Sequence, residues 1–223
     1  MIYVTGDTHG FLNKTLDRFA AAGVKEGDTV IICGDFGFVM SKESEYMIEL
    51  DRLAKEKYTI LFIDGNHENF DMLEEYPIVE YCGGKAHKIA DNIYHLMRGQ
   101  IFEIAGKRWF TFGGAYSIDK IMRTEGYSWW KQEIPVKDDY DEARRNLEMA
   151  NYQVDYVATH TVPDSIIHRM GKVPDVHDKE LTGYFEWLYR ELDFKKWFAG
   201  HWHINREFED KLEILFDKVE EVK

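Results

Sequence analysis

Five short groups of residues carry side chains able to do chemistry: Asp7 with His9, Asp35, Asn66 with His67, His160, and His201 with His203. Each group appears where an apolar run stops. Five of the nine histidines fall at these points, which random scatter along the chain does not produce. Imidazole, carboxylate and amide oxygen together suit borderline and hard dications such as Mn²⁺, Fe²⁺ and Zn²⁺, and the absence of a thiolate argues against a structural zinc site. Asp7-x-His9 and His201-x-His203 share a spacing. In an extended turn residues i and i+2 point the same way, so each pair is expected to reach into one pocket.

Positioning falls first to 58–68, YTILFIDGNHE. Ile60, Leu61, Phe62 and Ile63 read as a strand buried on both faces, and Asp64-Gly65 breaks it. A polar cluster at the C-terminal end of a buried parallel strand is where open α/β sheets place their sites. Segments 2–4 and 28–33 repeat the event, ending in Gly6-Asp7 and Gly34-Asp35. Between them, apolar positions 12, 16, 19, 20 and 22 predict a helix over 11–22. Positions 46, 47, 50, 53 and 54 predict a second, with Ser41 as N-cap. Strand, helix, strand, helix, strand builds a parallel sheet.

From about residue 92 short strands follow in series, 93–96, 101–105 and 108–112, and their turns predict antiparallel pairing. Helices are expected over 139–151 and over 180–192, the second weakened in its first turn by Gly183. Strands are expected at 154–159, 196–199 and 212–216, with a charged tail at 220–223. No repeat or linker divides the chain, so 1–223 is expected to form one domain. Lys plus Arg 28 against Asp plus Glu 41 gives a net charge of -13, which disfavours extended nucleic-acid binding and anionic membranes. Two cysteines, no N-terminal basic and apolar leader and no run near membrane length lead to the expectation of a cytoplasmic protein.

The series DTH, GD, GNHE, a lone histidine after a strand, and GHWH resembles the calcineurin-like metallophosphoesterase superfamily in order and in strand-end placement, from Asp7 to His203. The resemblance implies an α/β fold: a four-layer sandwich of two mixed β-sheets face to face with helices outside. It implies two divalent metal ions at one edge, Mn, Fe or Zn. Asp7, His9 and His203 would hold one, Asn66, His160 and His201 the other, and Asp35 would bridge. His67 matches the residue that works on the leaving group. Two dications roughly 3.5–4 Å apart bind phosphoryl oxygens and lower the pKa of a bridging water, which is what a phosphate ester demands. Protonated donation by His67 requires an acceptor partner; Glu68 and Asp64 are both near in sequence. The protein phosphatases of the family carry GD-x-x-D-R-G, whereas this chain has GDFGFVM, with Phe38 and Val39 at those places. The paired GHWH is similar to the phosphodiesterase-like branches.

The expected function is therefore hydrolysis of phosphate esters, small or nucleotide-type phosphodiesters first, by attack of a metal-bridging hydroxide. Phosphomonoesterase and nuclease are the enzymic alternatives, and a non-catalytic metal-binding interaction scaffold is the alternative of another class. The unperiodic stretch 113–132 leaves Phe112-Gly113-Gly114, where glycines let backbone approach a ligand. Within it, Arg123 assisted by Lys120 is expected to bind phosphate, with Tyr116 or Trp129 on the organic part; the competing reading is a loop whose tryptophans only anchor it. Asp164 could fix the ring of His160 or serve a turn. His87, His95, His168 and His177 follow no site pattern.

Overall fold

Val30 and Ile32 point to one side of their strand, Ile31 and Cys33 to the other, and all four are fully buried. A strand dry on both faces needs a layer on each. The computed structural model, which describes residues 1–222, supplies both. Its first part runs β1 (Ile2–Thr5), α1 (Leu12–Ala21), β2 (Thr29–Ile32), α2 (Ser44–Leu53), β3 (Thr59–Phe62) and α3 (Phe70–Glu75). Then come β4 (Ile78–Tyr81), β5 (Gly84–Ala90), β6 (Ile93–Leu96), β7 (Gln100–Ile104) and β8 (Lys107–Phe112). The remainder is α4 (Lys137–Met149), β9 (Tyr156–Thr159), α5 (Asp164–Arg169), α6 (Lys179–Glu191), β10 (Lys196–Ala199), β11 (Arg206–Phe208), β12 (Leu212–Ile214) and β13 (Val219–Val222).

One sheet has seven strands in the order β13-β1-β2-β3-β6-β5-β4, the other six in the order β11-β12-β10-β9-β8-β7, and both are mixed. Residues of both sheets, among them Ile31, Leu61, Phe102, Trp109 and Phe198, form the layer between them. Residues of α1, α2 and α3 cover the far face of the first sheet; those of α4, α5 and α6 cover the second. The result is the expected four-layer α/β sandwich. Fully buried aromatic rings such as Trp109 and Phe198 dominate its middle, where truncation to alanine typically costs about 3–5 kcal/mol.

Three expectations are corrected and one element is added. β6 lies parallel to β3 in the first sheet, while β7 belongs to the second, so the chain crosses between sheets at Met97–Gly99 instead of continuing an antiparallel series. The α2 helix starts at Ser44 with Glu43 as N-cap, and the Ser41 hydroxyl accepts the Glu43 N–H at 3.1 Å one turn earlier. The charged tail is β13, paired antiparallel with β1 from Ile2↔Val222 to Thr5↔Val219; Lys223 lies outside the described residues. The hairpin β4–β5 has no counterpart among the expected elements. Among the described residues no helix is long and apolar enough to cross a membrane.

Candidate metal centre

All five groups lie at the C-terminal ends of parallel neighbours. Asp7, Asp35 and Asn66 with His67 follow β1, β2 and β3 of the first sheet, and His160 and His201 with His203 follow β9 and β10 of the second. The i, i+2 pairs do not converge through extended turns. His9, Asp35, His201 and His203 all have positive φ, between 49° and 65°, a left-handed conformation uncommon for residues with a Cβ. Such conformations persist where the surroundings over-determine them. Here the carbonyl of Asp35 accepts the N–H groups of Thr8 at 3.1 Å and His9 at 2.8 Å, and Asp7 Oδ1 accepts the His201 N–H at 3.0 Å. Gly200 is required by that close approach, since a Cβ there would stand 2.3 Å from Asp7 Oδ1 and 2.5 Å from the Cys33 carbonyl.

Two donor sets result. Ligand atoms of Asp7, His9, Asp35 and His203 lie within 4.8 Å of one another. In the second set the Asn66 side-chain oxygen is 3.1 Å from His160 Nε2 and 3.0 Å from His201 Nδ1. Asp35 faces both sets, with Oδ2 at 3.9 Å from His9 Nδ1 and Oδ1 at 3.3 Å from His160 Nε2. Asp7 and Asp35 are buried, and among the described residues their only ionisable partners within 4.0 Å are histidines. Asp7 Oδ2 has no hydrogen bond of acceptable direction although His203 Nε2 is 3.0 Å away, and the Nε2 atoms of His9 and His203 face each other at 3.1 Å. Lone-pair donors turned on one another around buried carboxylates that have no Lys or Arg partner are a donor set that fits divalent cations.

The titration of the site reflects the same concentration of charge. Burial alone would lower the pKa of His160, but the Asp35 and Asp7 carboxylates outweigh it and bring it up to about 10. Burial, aided by the neighbouring His160, pushes His201 down to about 3. Burial opposes ionisation of Asp35, yet His160, His67 and His9 hold its carboxyl well below the usual range. The ring of His160 is fixed by its Nδ1 at 2.8 Å from the Cys33 carbonyl. Asp164 does not fix it; it is the first residue of α5, and its Oδ1 is unpaired.

His67 has a different partner from either neighbouring carboxylate. Glu68 is wholly buried and accepts the N–H groups of Phe36 at 2.7 Å and Gly37 at 3.4 Å, tying the loop after β3 to the loop after β2. Asp64 is paired with Arg98 at 2.6 Å and His95 at 3.2 Å. Both ring nitrogens of His67 instead lie 2.9 Å from guanidinium nitrogens of Arg123. Burial lowers the His67 pKa; Asp35 opposes this and Arg123 adds to it. Arg123 is held in turn by Asp119 at 2.7 Å and by the Ser128 carbonyl at 3.1 Å.

Lys120 is engaged away from His67. Its ammonium pairs at 2.6 Å with the buried Glu133 and lies between the rings of Tyr116 and Trp129. Glu133 accepts the Ser117 hydroxyl at 2.8 Å, and the Ser117 oxygen accepts the Asn66 amide N–H at 3.1 Å. That chain turns the Asn66 oxygen toward the two histidines. Sequence reasoning misses Ser117 and Glu133, for no spacing ties them to Asn66. Gly113 and Gly114 admit protein, not ligand: a Cβ on the first would meet the Asp64 carboxylate at 2.4 Å and on the second the Glu133 carbonyl at 2.7 Å. Trp130 is a packing anchor, buried, with its indole N–H on Asp71 at 2.8 Å. Phe38 and Val39 are buried in the core of the first sheet.

Two sheets that bring aspartate, asparagine and histidine from successive strand ends to one edge define a metal-binding phosphoesterase class. The chain belongs to the calcineurin-like phosphoesterase family, whose model matches residues 1–205, and is thus a hydrolase acting on phosphoester bonds. Among solved structures it is similar to the phosphopantetheinyl hydrolase PptH of Mycobacterium tuberculosis, at 15% identity and a TM-score of 0.49, covering 96% of this chain and 89% of that one. It is similar also to the sulfate thiohydrolase SoxB of Thermus thermophilus, at 15% identity and a TM-score of 0.36, covering 94% of this chain and 37% of that one. No curated protein sequence matches.

Proposed function

We propose that this protein is a dinuclear-metal-dependent hydrolase of phosphate esters acting on small phosphodiesters, those of nucleotide type included. The observation that carries the reading is the pair of donor sets sharing Asp35. Asp7, His9 and His203 would hold one divalent ion, Asn66, His160 and His201 the other, and Asp35 both. Bound there, the ions supply Lewis-acid stabilisation of phosphoryl oxygens and a water of lowered pKa.

The chain's own residues do the rest. Ser117 keeps the amide oxygen of Asn66 on the histidines. Arg123, anchored by Asp119, presents its guanidinium where a phosphoryl oxygen next to His67 can accept from it. Negative charge arriving there favours the imidazolium form of His67, the form able to give a proton to a departing alkoxide. Lys120 contributes indirectly, by neutralising Glu133.

The purified apo-protein, reloaded separately with Mn²⁺, Zn²⁺, Fe²⁺ and Mg²⁺, is assayed against a chromogenic phosphodiester and its monoester. Metal-dependent turnover of the diester, above that of the monoester, is expected. Turnover of the monoester alone assigns the protein to phosphomonoesterases. Metal uptake without hydrolysis of either ester overturns the enzymic reading in favour of a scaffold.

A further inference from the structure

Beside the metal centre lies a pocket of about 400 Å³ whose inner wall includes Asn66, His201 and His203. Whatever fills it therefore lies against three of the metal-donor side chains. Its other walls include Tyr116 and Ile118 from the loop after β8, Ile167 from α5, Val173 from the α5–α6 connection, and Trp202. Ile118 and Val173 are each 80% exposed, and the same two loops hold Ile121, Met122 and Val176 out in water. Isolated exposed apolar residues are ordinary, but Ile118 and Val173 line a cavity beside the metal donors together with Ile167, Tyr116 and Trp202, and that has the chemistry of a ligand wall. Trp202 stands between the two histidines of GHWH, edge-on to His201 at 5.5 Å.

The charges around the pocket do not favour a second anion. Lys172 lies 4.8 Å over the Trp202 ring and makes no ion pair among the described residues. Against this cation stand Asp119, already paired with Arg123, Asp175, which accepts the His177 N–H at 2.9 Å, and Asp178, which accepts the Tyr116 N–H at 3.2 Å. Two carboxylates without cationic partners outnumber one free ammonium. The bound ions would be matched by Asp7, Asp35 and the phosphoryl group itself, and a chain of net charge -13 supplies no more distant excess of positive charge.

We infer that the pocket receives the organic group of the ester and that this group is largely apolar and carries no further negative charge. This rests on the phosphoesterase reading and narrows its substrates to esters of uncharged, lipophilic alcohols, away from those bearing additional phosphates. Ile118, from the loop after β8, and Val173, from the α5–α6 connection, are the specificity residues.

The test uses the metal-loaded protein and non-hydrolysable ligands, with tryptophan fluorescence reading occupancy next to Trp202. Methyl-, butyl- and octylphosphonate should bind with increasing affinity, by up to about fourfold per buried methylene. An octylphosphonate of the same length ending in a carboxylate should bind at least about tenfold more weakly than octylphosphonate, a penalty for placing an anion among unpaired carboxylates. In the double variant Ile118→Asp, Val173→Asp the gain with chain length should collapse. Both positions are exposed, so the fold is retained. Equal affinity along the alkyl series, equal binding of the carboxylate-ended ligand, or an undiminished gain in the double variant each overturns the inference. Hydrolysis of a methyl nitrophenyl phosphodiester reports on the phosphoesterase reading separately, so failure of one is distinguishable from failure of the other.

Discussion

Asp35 faces both donor sets, and its two oxygens are divided between them. Asp35→Asn is therefore expected to lose more than half of the bound metal, from both positions, whereas His9→Ala loses mainly one equivalent; mass spectrometry of the native proteins counts the ions. Two full equivalents in Asp35→Asn would rule out the shared role. His67 contributes to neither donor set, touching them through its backbone N–H on Asp35 Oδ1 at 2.8 Å. His67→Ala should keep its metals and lose turnover by about 10²–10⁴-fold, most for esters with basic leaving groups. Equal losses on nitrophenyl and alkyl leaving groups would mean that the imidazole only positions phosphate.

The strand ends act as elements because glycine lets neighbouring loops interlock. Gly200→Ala drives a methyl group into Asp7 and the Cys33 carbonyl, so it should cost about 1–3 kcal/mol of stability and most of the metal affinity. Gly183 offers the opposite case. It lies inside α6, where an added methyl group would meet nothing closer than Asp164 Oδ2 at 4.0 Å, so Gly183→Ala should stabilise by about 1 kcal/mol in urea denaturation. Such glycines also bear on what can be read in advance. The strands that carry the donors are legible because each is an unbroken apolar run ended by a turn and a polar residue. Strands β4 and β13 are not, since edge strands exposed on one side carry Glu80, Glu220 and Glu221 and are defined by backbone pairing. The crossing at Arg98 reads as a plain turn, although its guanidinium is buried on Asp64, because nothing local to Met97–Gly99 reports a partner 34 residues away. Ser117 and Glu133 escape for the same reason: their relation to Asn66 is spatial.

Across the whole molecule, acid should act in part through His87, a buried histidine outside the metal centre, alongside His201 within it. His87 and His95 stack at 5.3 Å with their Nδ1 atoms 3.0 Å apart, and His95 reaches Asp64. Burial, with His95 adding to it, lowers the pKa of His87 to about 4. The unfolded chain then takes up this proton near pH 6.5 and the folded one only near 4, so the unfolded state binds more protons in between. Stability is expected to fall as pH drops from about 6.5 to 4 and to lose nothing more from this group below that. The His87→Phe variant should show a smaller drop in urea midpoint between pH 7 and pH 5; an identical drop would clear His87 of the effect. The donors come from both sheets, so bound ions should also fasten the sandwich. Excess chelator should lower the melting temperature, by the equivalent of about 2.7 kcal/mol for each ion that had been present at 100 times its dissociation constant, and an unchanged melting temperature would mean that no ion is held by the folded state in preference to the unfolded one. The pairing of β1 with β13 bears on the time course of folding. During synthesis β1 can find β2 almost at once, but its other edge waits for Val219–Val222, and Asp7 waits for a His201 that lies 194 residues later. A nascent chain thus holds an open strand edge until residues 219–222 have emerged, and pairing between segments so distant in sequence slows folding and leaves that edge open to wrong partners in the meantime.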